Sequence, residues 1–101
     1  MRPRVELQAK LEEILGNRHV YYQPPESVKM EYPAIVYSIK DIESRHADDQ
    51  KYSKLKCYEL IVISKTPNDR IIDSLLDMPY ISYDRSYKAN NLNHDVFTIY
   101  Y

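Results

Sequence analysis

Apolar residues at Leu7, Leu11, Ile14 and Leu15 recur at the i, i+4, i+7 and i+8 spacing of one helical face. Glu6, Gln8, Lys10, Glu12 and Glu13 fill the other side, and Pro3 suits a first turn, where its missing N–H breaks no helical bond. Gly16-Asn17 supplies the left-handed residue that commonly ends a helix. The spacing predicts a helix ending near Leu15.

Val20-Tyr21-Tyr22 reads as a short strand, followed by Gln23-Pro24-Pro25-Glu26-Ser27, whose adjacent prolines lack two backbone donors and predict an extended loop. Tyr32-Pro33 introduces Ala34-Ile35-Val36-Tyr37-Ser38-Ile39, a β-branched and aromatic run with proline at the tolerated strand entry. Asp41 to Lys51 is charged and carries no bulky apolar residue after Ile42. It predicts a long hairpin loop or strand ends projecting beyond the sheet.

Tyr52 to Ser64 predicts the longest strand. Tyr52, Lys54, Lys56, Tyr58, Leu60 and Val62 share one face; Ser53, Leu55, Cys57, Glu59, Ile61 and Ile63 share the other. The first half alternates like a half-exposed strand. Leu60-Ile61-Val62-Ile63 is apolar on both faces, so both sides of the sheet need a cover there, for example a helix on one and a partner subunit on the other.

Thr66-Pro67-Asn68-Asp69 predicts a second helix, with Thr66 as N-cap, Pro67 in the first position and Asp69 favourable to the dipole. Ile71, Ile72, Leu75 and Leu76 form its apolar stripe, and Met78-Pro79 ends it. Strands Tyr80 to Tyr87 and Asp95 to Tyr101 follow, separated by Asn90-Asn91, residues that tolerate positive φ. The order α-(β)-β-β-α-β-β predicts an α+β fold: a mainly antiparallel sheet of four to five strands with two helices.

At 101 residues, and roughly 100–200 residues per domain, the chain reads as a single domain over 1–101. Charge is balanced, 14 Lys+Arg against 15 Asp+Glu for a net −1, which lacks the electrostatic footprint of a dedicated DNA-binding protein. No apolar run approaches the ~18–20 residues of a membrane span, and Met1-Arg2-Pro3-Arg4 leads into no secretory apolar region, so an intracellular protein without membrane contact is expected. Gly16 is the sole glycine, which excludes glycine-rich phosphate loops and dinucleotide fingerprints. Cys57 is the sole cysteine, which excludes an internal disulfide and a thiolate zinc cluster.

Asp41, Glu43, His46, Asp48 and Asp49 could together offer oxygen and imidazole ligands. Their spacing matches no metal motif, the calcium loop's glycine is missing, and Arg45 and Lys51 interleave. A solvated loop of mixed charge is the reading. Cys57 with His94 could suggest nucleophile and base, but Cys57 lies mid-strand among apolar residues, with nothing local to lower its pKa. His19 and His94 each flank a predicted strand. The residues therefore suggest neither enzyme nor cofactor.

Eleven tyrosines stand against one phenylalanine. Tyr80, Tyr83, Tyr87, Tyr100 and Tyr101 crowd the last quarter; Tyr21, Tyr22, Tyr32 and Tyr37 lie in or near the first strands. Tyrosine offers large amphipathic area and is enriched in interface cores, though small cores also use it with the hydroxyl at the surface. The face Tyr52, Lys54, Lys56 and Tyr58 supports an alternative, a small module binding single-stranded nucleic acid by base stacking and phosphate neutralisation. The same residues also make an ordinary exposed strand face.

In whole-chain arrangement the sequence resembles the small tail-completion, or tail-terminator, proteins of long-tailed bacteriophages and their prophages. The features that carry this are the N-terminal helix before Val20-Tyr21-Tyr22-Gln23-Pro24-Pro25, then Met30-Glu31-Tyr32-Pro33-Ala34-Ile35-Val36-Tyr37 and Ala47-Asp48-Asp49-Gln50-Lys51-Tyr52. Next come the strand Tyr58 to Ser64, Pro67-Asn68-Asp69 opening the short helix, Tyr83-Asp84-Arg85-Ser86-Tyr87, and Asn91-Leu92-Asn93-His94-Asp95-Val96-Phe97 before Thr98-Ile99-Tyr100-Tyr101. The resemblance spans essentially the full length, and no piece of it is a catalytic signature.

It implies a structural protein of the virion tail, assembled in the bacterial cytoplasm, that forms a homo-oligomeric ring, commonly a hexamer, on the last ring of the tail tube. Such a ring ends tube polymerisation and takes part in head–tail joining. Its partners would be the major tail-tube protein and the head-connector proteins, with DNA only passing through the lumen. Glu43, Arg45, His46, Asp48, Asp49, Lys51, Tyr52, Tyr83, Tyr87 and Tyr100 are the expected interface residues.

Overall fold

A computed structural model describes residues 4–42, 56–67 and 69–101. The elements are α1 (Arg4–Leu15), β1 (Val20–Tyr22), β2 (Ala34–Ile42), β3 (Lys56–Ser64), α2 (Asp69–Leu76), β4 (Ile81–Ala89) and β5 (Leu92–Tyr100). The strands form one sheet in the order β1-β2-β3-β5-β4. β1 runs parallel to β2, and the other three pairings are antiparallel. The fold is α+β, in the element order read from the pattern.

α1 buries the side of its turns that carries Leu7, Leu11 and Leu15. It ends where Gly16 adopts φ +84° and donates its N–H to the Glu12 carbonyl at 2.9 Å. α2 buries Ile71 and Leu75. Both helices pack on the same sheet face, over Val20, Ile35, Tyr37, Tyr58, Leu60, Val62, Phe97 and Ile99. Each fully buried Leu or Ile there contributes about 1.5–3 kcal/mol by leaving water.

Register sets the opposite face. Val36, Ile61, Val96 and Arg85 form one cross-strand row; Ala34, Ile63, His94 and Tyr87 form the next. The run Leu60–Ile63 is thus apolar toward both sides, as its sequence demands. The helices cover one side. On the other, the cover expected from a partner subunit is supplied in part by the chain's own Gln23–Met30 segment, which walls a groove over Ile61 and Ile63.

Several boundaries shift from the sequence reading. β2 continues to Ile42, because β3 pairs with Asp41 and Ile42 beyond a bulge that skips Lys40. α2 begins at Asp69 rather than at Pro67, and Leu76 is exposed, because the helix presents a narrower apolar stripe to the sheet. β4 and β5 both extend to meet at Asn90-Asn91, where φ values of 53° and 60° make a two-residue turn. His94 therefore lies within β5 instead of flanking it.

The face proposed for base stacking is corrected at Tyr58, which is 1% exposed and packs edge-on against both Tyr22 and Tyr37. Lys56 of that face is half-buried, and Tyr52 and Lys54 lie outside the described residues.

Candidate interaction surface

β4 is an edge strand, and Ser82 to Lys88 are all exposed. Among the described residues nothing pairs with its outer side. A register shift between Tyr83 and Arg85 displaces Asp84, whose carboxylate accepts the Thr98 hydroxyl at 2.6 Å. Such a bulge, with Asp84, Arg85 and Lys88 along the strand, discourages indiscriminate strand pairing and leaves side chains to select a partner.

Two tyrosines on β4 point to opposite faces of the sheet. Tyr83 meets Phe97 edge to face, with centroids 5.2 Å apart at 75°, and donates its hydroxyl to Asp95 Oδ1 at 3.0 Å. Tyr87 stacks flat on His94, at 4.7 Å and 11°, and Arg85 lies 6.0 Å from its ring centre. His94 Nδ1 lies 3.1 Å from the Leu92 carbonyl, which holds the imidazole plane. These contacts fix both rings although Tyr83 and Tyr87 remain 44% and 43% exposed.

The Tyr87–His94 stack forms one wall of the groove on the helix-free face. Val36, Ile61 and Ile63 make its floor, and Pro24, Pro25 and Met30 stand opposite. Its volume is about 670 Å³. The proline wall is anchored at Gln23, whose N–H donates to the Tyr37 carbonyl at 2.9 Å and whose side-chain oxygen accepts the Ile39 N–H at 3.1 Å. The Val28 N–H closes a turn onto the Pro25 carbonyl at 3.1 Å.

On the helical side a polar network ties α1 to the sheet. Arg4 Nη1 donates to the Tyr37 oxygen at 3.0 Å, and Tyr37 donates in turn to Gln8 Oε1 at 2.5 Å. Gln8 Nε2 reaches both Glu12 and the Val20 carbonyl at 3.0 Å. The guanidinium also lies 4.2 Å from the Tyr22 ring centre. Burial raises the Tyr37 and Tyr58 pKa values above the ordinary phenol value, and the Tyr37 hydrogen bond raises that of Arg4. These groups hold elements together.

Of the ten residues expected at an interface, Tyr83 and Tyr87 lie on the exposed edge strand, and Tyr100 is half-buried in the interior strand β5. Glu43, Arg45, His46, Asp48, Asp49, Lys51 and Tyr52 lie outside the described residues. Cys57 is buried, as its position among apolar residues implied.

Sequence reasoning missed the groove and the corner at Tyr80. The two-sided apolar run Leu60–Ile63 carried the signal for the groove. Tyr80 is 69% exposed and holds φ +59°, yet its position beside Met78-Pro79 read as the start of a strand. Comparison with protein-family models and with curated proteins finds no match to this chain.

Proposed function

We propose that this chain is a structural virion protein that caps the tail tube of a long-tailed bacteriophage, ends its polymerisation and takes part in head–tail joining. The observation that carries the reading is the edge strand β4, exposed along its length, bearing Tyr83 and Tyr87 in fixed orientations on opposite faces. Ordered tyrosines beside an open sheet edge are the means by which a small domain binds other proteins with little loss of side-chain freedom. The whole-chain resemblance to tail-completion proteins supplies the partners: further copies of the chain in a ring, the tail-tube protein below and the head connector above.

A ring requires a head-to-tail contact between two different surfaces of one chain. The β4 edge with its tyrosines supplies one such surface, and the Glu43–Lys51 segment contributes contacts to the ring or the tail. The test is to add the purified protein to polymerising tail-tube protein from the same phage. Tubes stop growing at substoichiometric protein if the reading holds. An unchanged length distribution at excess protein contradicts it.

A further inference from the structure

The helix-free groove and the corner between α2 and β4 are complementary surfaces of one molecule. The corner presents Leu76, 46% exposed, and Tyr80 as an apolar projection, with the exposed carboxylates of Asp73 and Asp77 nearby on the same helix and turn. Arg70, the helix's own cation, is directed away to the Ile14 carbonyl at 3.4 Å. The projection is therefore apolar at its tip and acidic at its base.

The groove has the converse character. Its floor is apolar, and its Tyr87–His94 wall is bordered by one cation, Arg85, whereas Lys88, next along β4, lies on the opposite face beside Asp69 and Ile72. Glu26, the acidic residue of the lining, stands on the opposite, proline wall. The cavity is in the size range that takes a whole side chain or more.

Tyr80 is held outward by a backbone conformation that L-residues rarely adopt, and its carbonyl is fixed by the Tyr100 N–H at 3.0 Å. An unfavourable conformation maintained at an exposed aromatic residue points to a contact that uses it. Seven residues of extended chain, roughly 23 Å at ~3.3 Å each, separate Tyr80 from Tyr87. Tyr80 of the same molecule cannot fill the groove.

We propose that the groove receives the Leu76–Tyr80 corner of a second copy of this chain, with Tyr80 seated between the prolines and the Tyr87–His94 stack. Asp77 then faces the Arg85 side. The contact joins two different surfaces, so it propagates from copy to copy and closes into a ring if the rotation permits. It deepens the tail-cap reading by naming its ring contact, and it rests on that reading only for its place in the virion.

The test places a photo-crosslinking benzoylphenylalanine at position 80 in the full-length protein and mixes isotope-labelled with unlabelled copies. The expected result is an intermolecular adduct on the segment Gln23–Met30 or on Tyr87–His94. Tyr80→Ser, at an exposed site, should leave the fold intact and reduce self-association at least tenfold. Adducts elsewhere, adducts only within one molecule, or a chain monomeric up to millimolar concentration would each overturn the proposal. A second arm keeps the two claims apart: Tyr80→Ser is compared with gene deletion for tail phenotype. A deletion phenotype with crosslinks elsewhere removes the contact and leaves the tail role standing.

Discussion

Tyr87 and His94 are directly opposed across the β4–β5 ladder, and their rings stack 4.7 Å apart at 11°. The pair fixes an exposed aromatic wall beside an apolar floor. Tyr87→Ala removes a ring contact worth about 0.5–1.5 kcal/mol. At roughly 4–8 °C per kcal/mol for a domain near this size, the thermal midpoint falls by a few degrees. Circular dichroism should find the variant folded, and sedimentation should find its self-association weakened by more than the stability loss explains.

The helical face responds differently. Leu11→Ala and Leu75→Ala each open a cavity among fully buried neighbours and should cost about 2–5 kcal/mol. Leu76→Ala, one position along the same helix but exposed, should stay within about 0.5 kcal/mol. Urea midpoints of the three variants check the contrast. Equal losses at Leu75 and Leu76 would contradict the helix orientation.

The Arg4–Tyr37–Gln8 network gives a third test. Gln8→Leu leaves the Tyr37 hydroxyl without its acceptor and α1 without its bond to the Val20 carbonyl. A loss of about 1–3 kcal/mol is expected, the range for orphaned part-buried partners. Chemical denaturation measures it directly.

Alkaline pH weakens the fold through the same tyrosines. Burial raises the folded pKa values of Tyr37 and Tyr58, so above about pH 10 the folded chain retains protons that the unfolded chain has released. Their contribution is complete below that value and is lost as pH climbs through the raised folded values. Urea midpoints should hold steady to about pH 9 and fall steeply beyond about pH 10. Tyr58→Phe should flatten the fall, and tyrosinate absorbance should find a late-titrating class that this variant depletes.

Much of this architecture was legible in local patterns. The α1 stripe, the Gly16 stop, the Asn90-Asn91 turn and the α+β order each follow from rules acting over a few residues. Tyr58 was misplaced because Lys54 and Lys56 made its strand face look solvated, whereas pairing with Ile39 and Ile99 turns it under the helices. Groove and corner were hidden for another reason. The groove joins Pro24, Ile61 and Tyr87, which only the sheet order brings together, and the exposure of Tyr80 depends on a single backbone angle.

The central claim, the proposed tail-cap role, is tested most directly by electron microscopy of phage lysates from the source strain, with the gene deleted and then restored. The account predicts overlong tails, or tails of normal length that never join filled heads, reversed on restoration. Intact infectious particles made without the gene would contradict it.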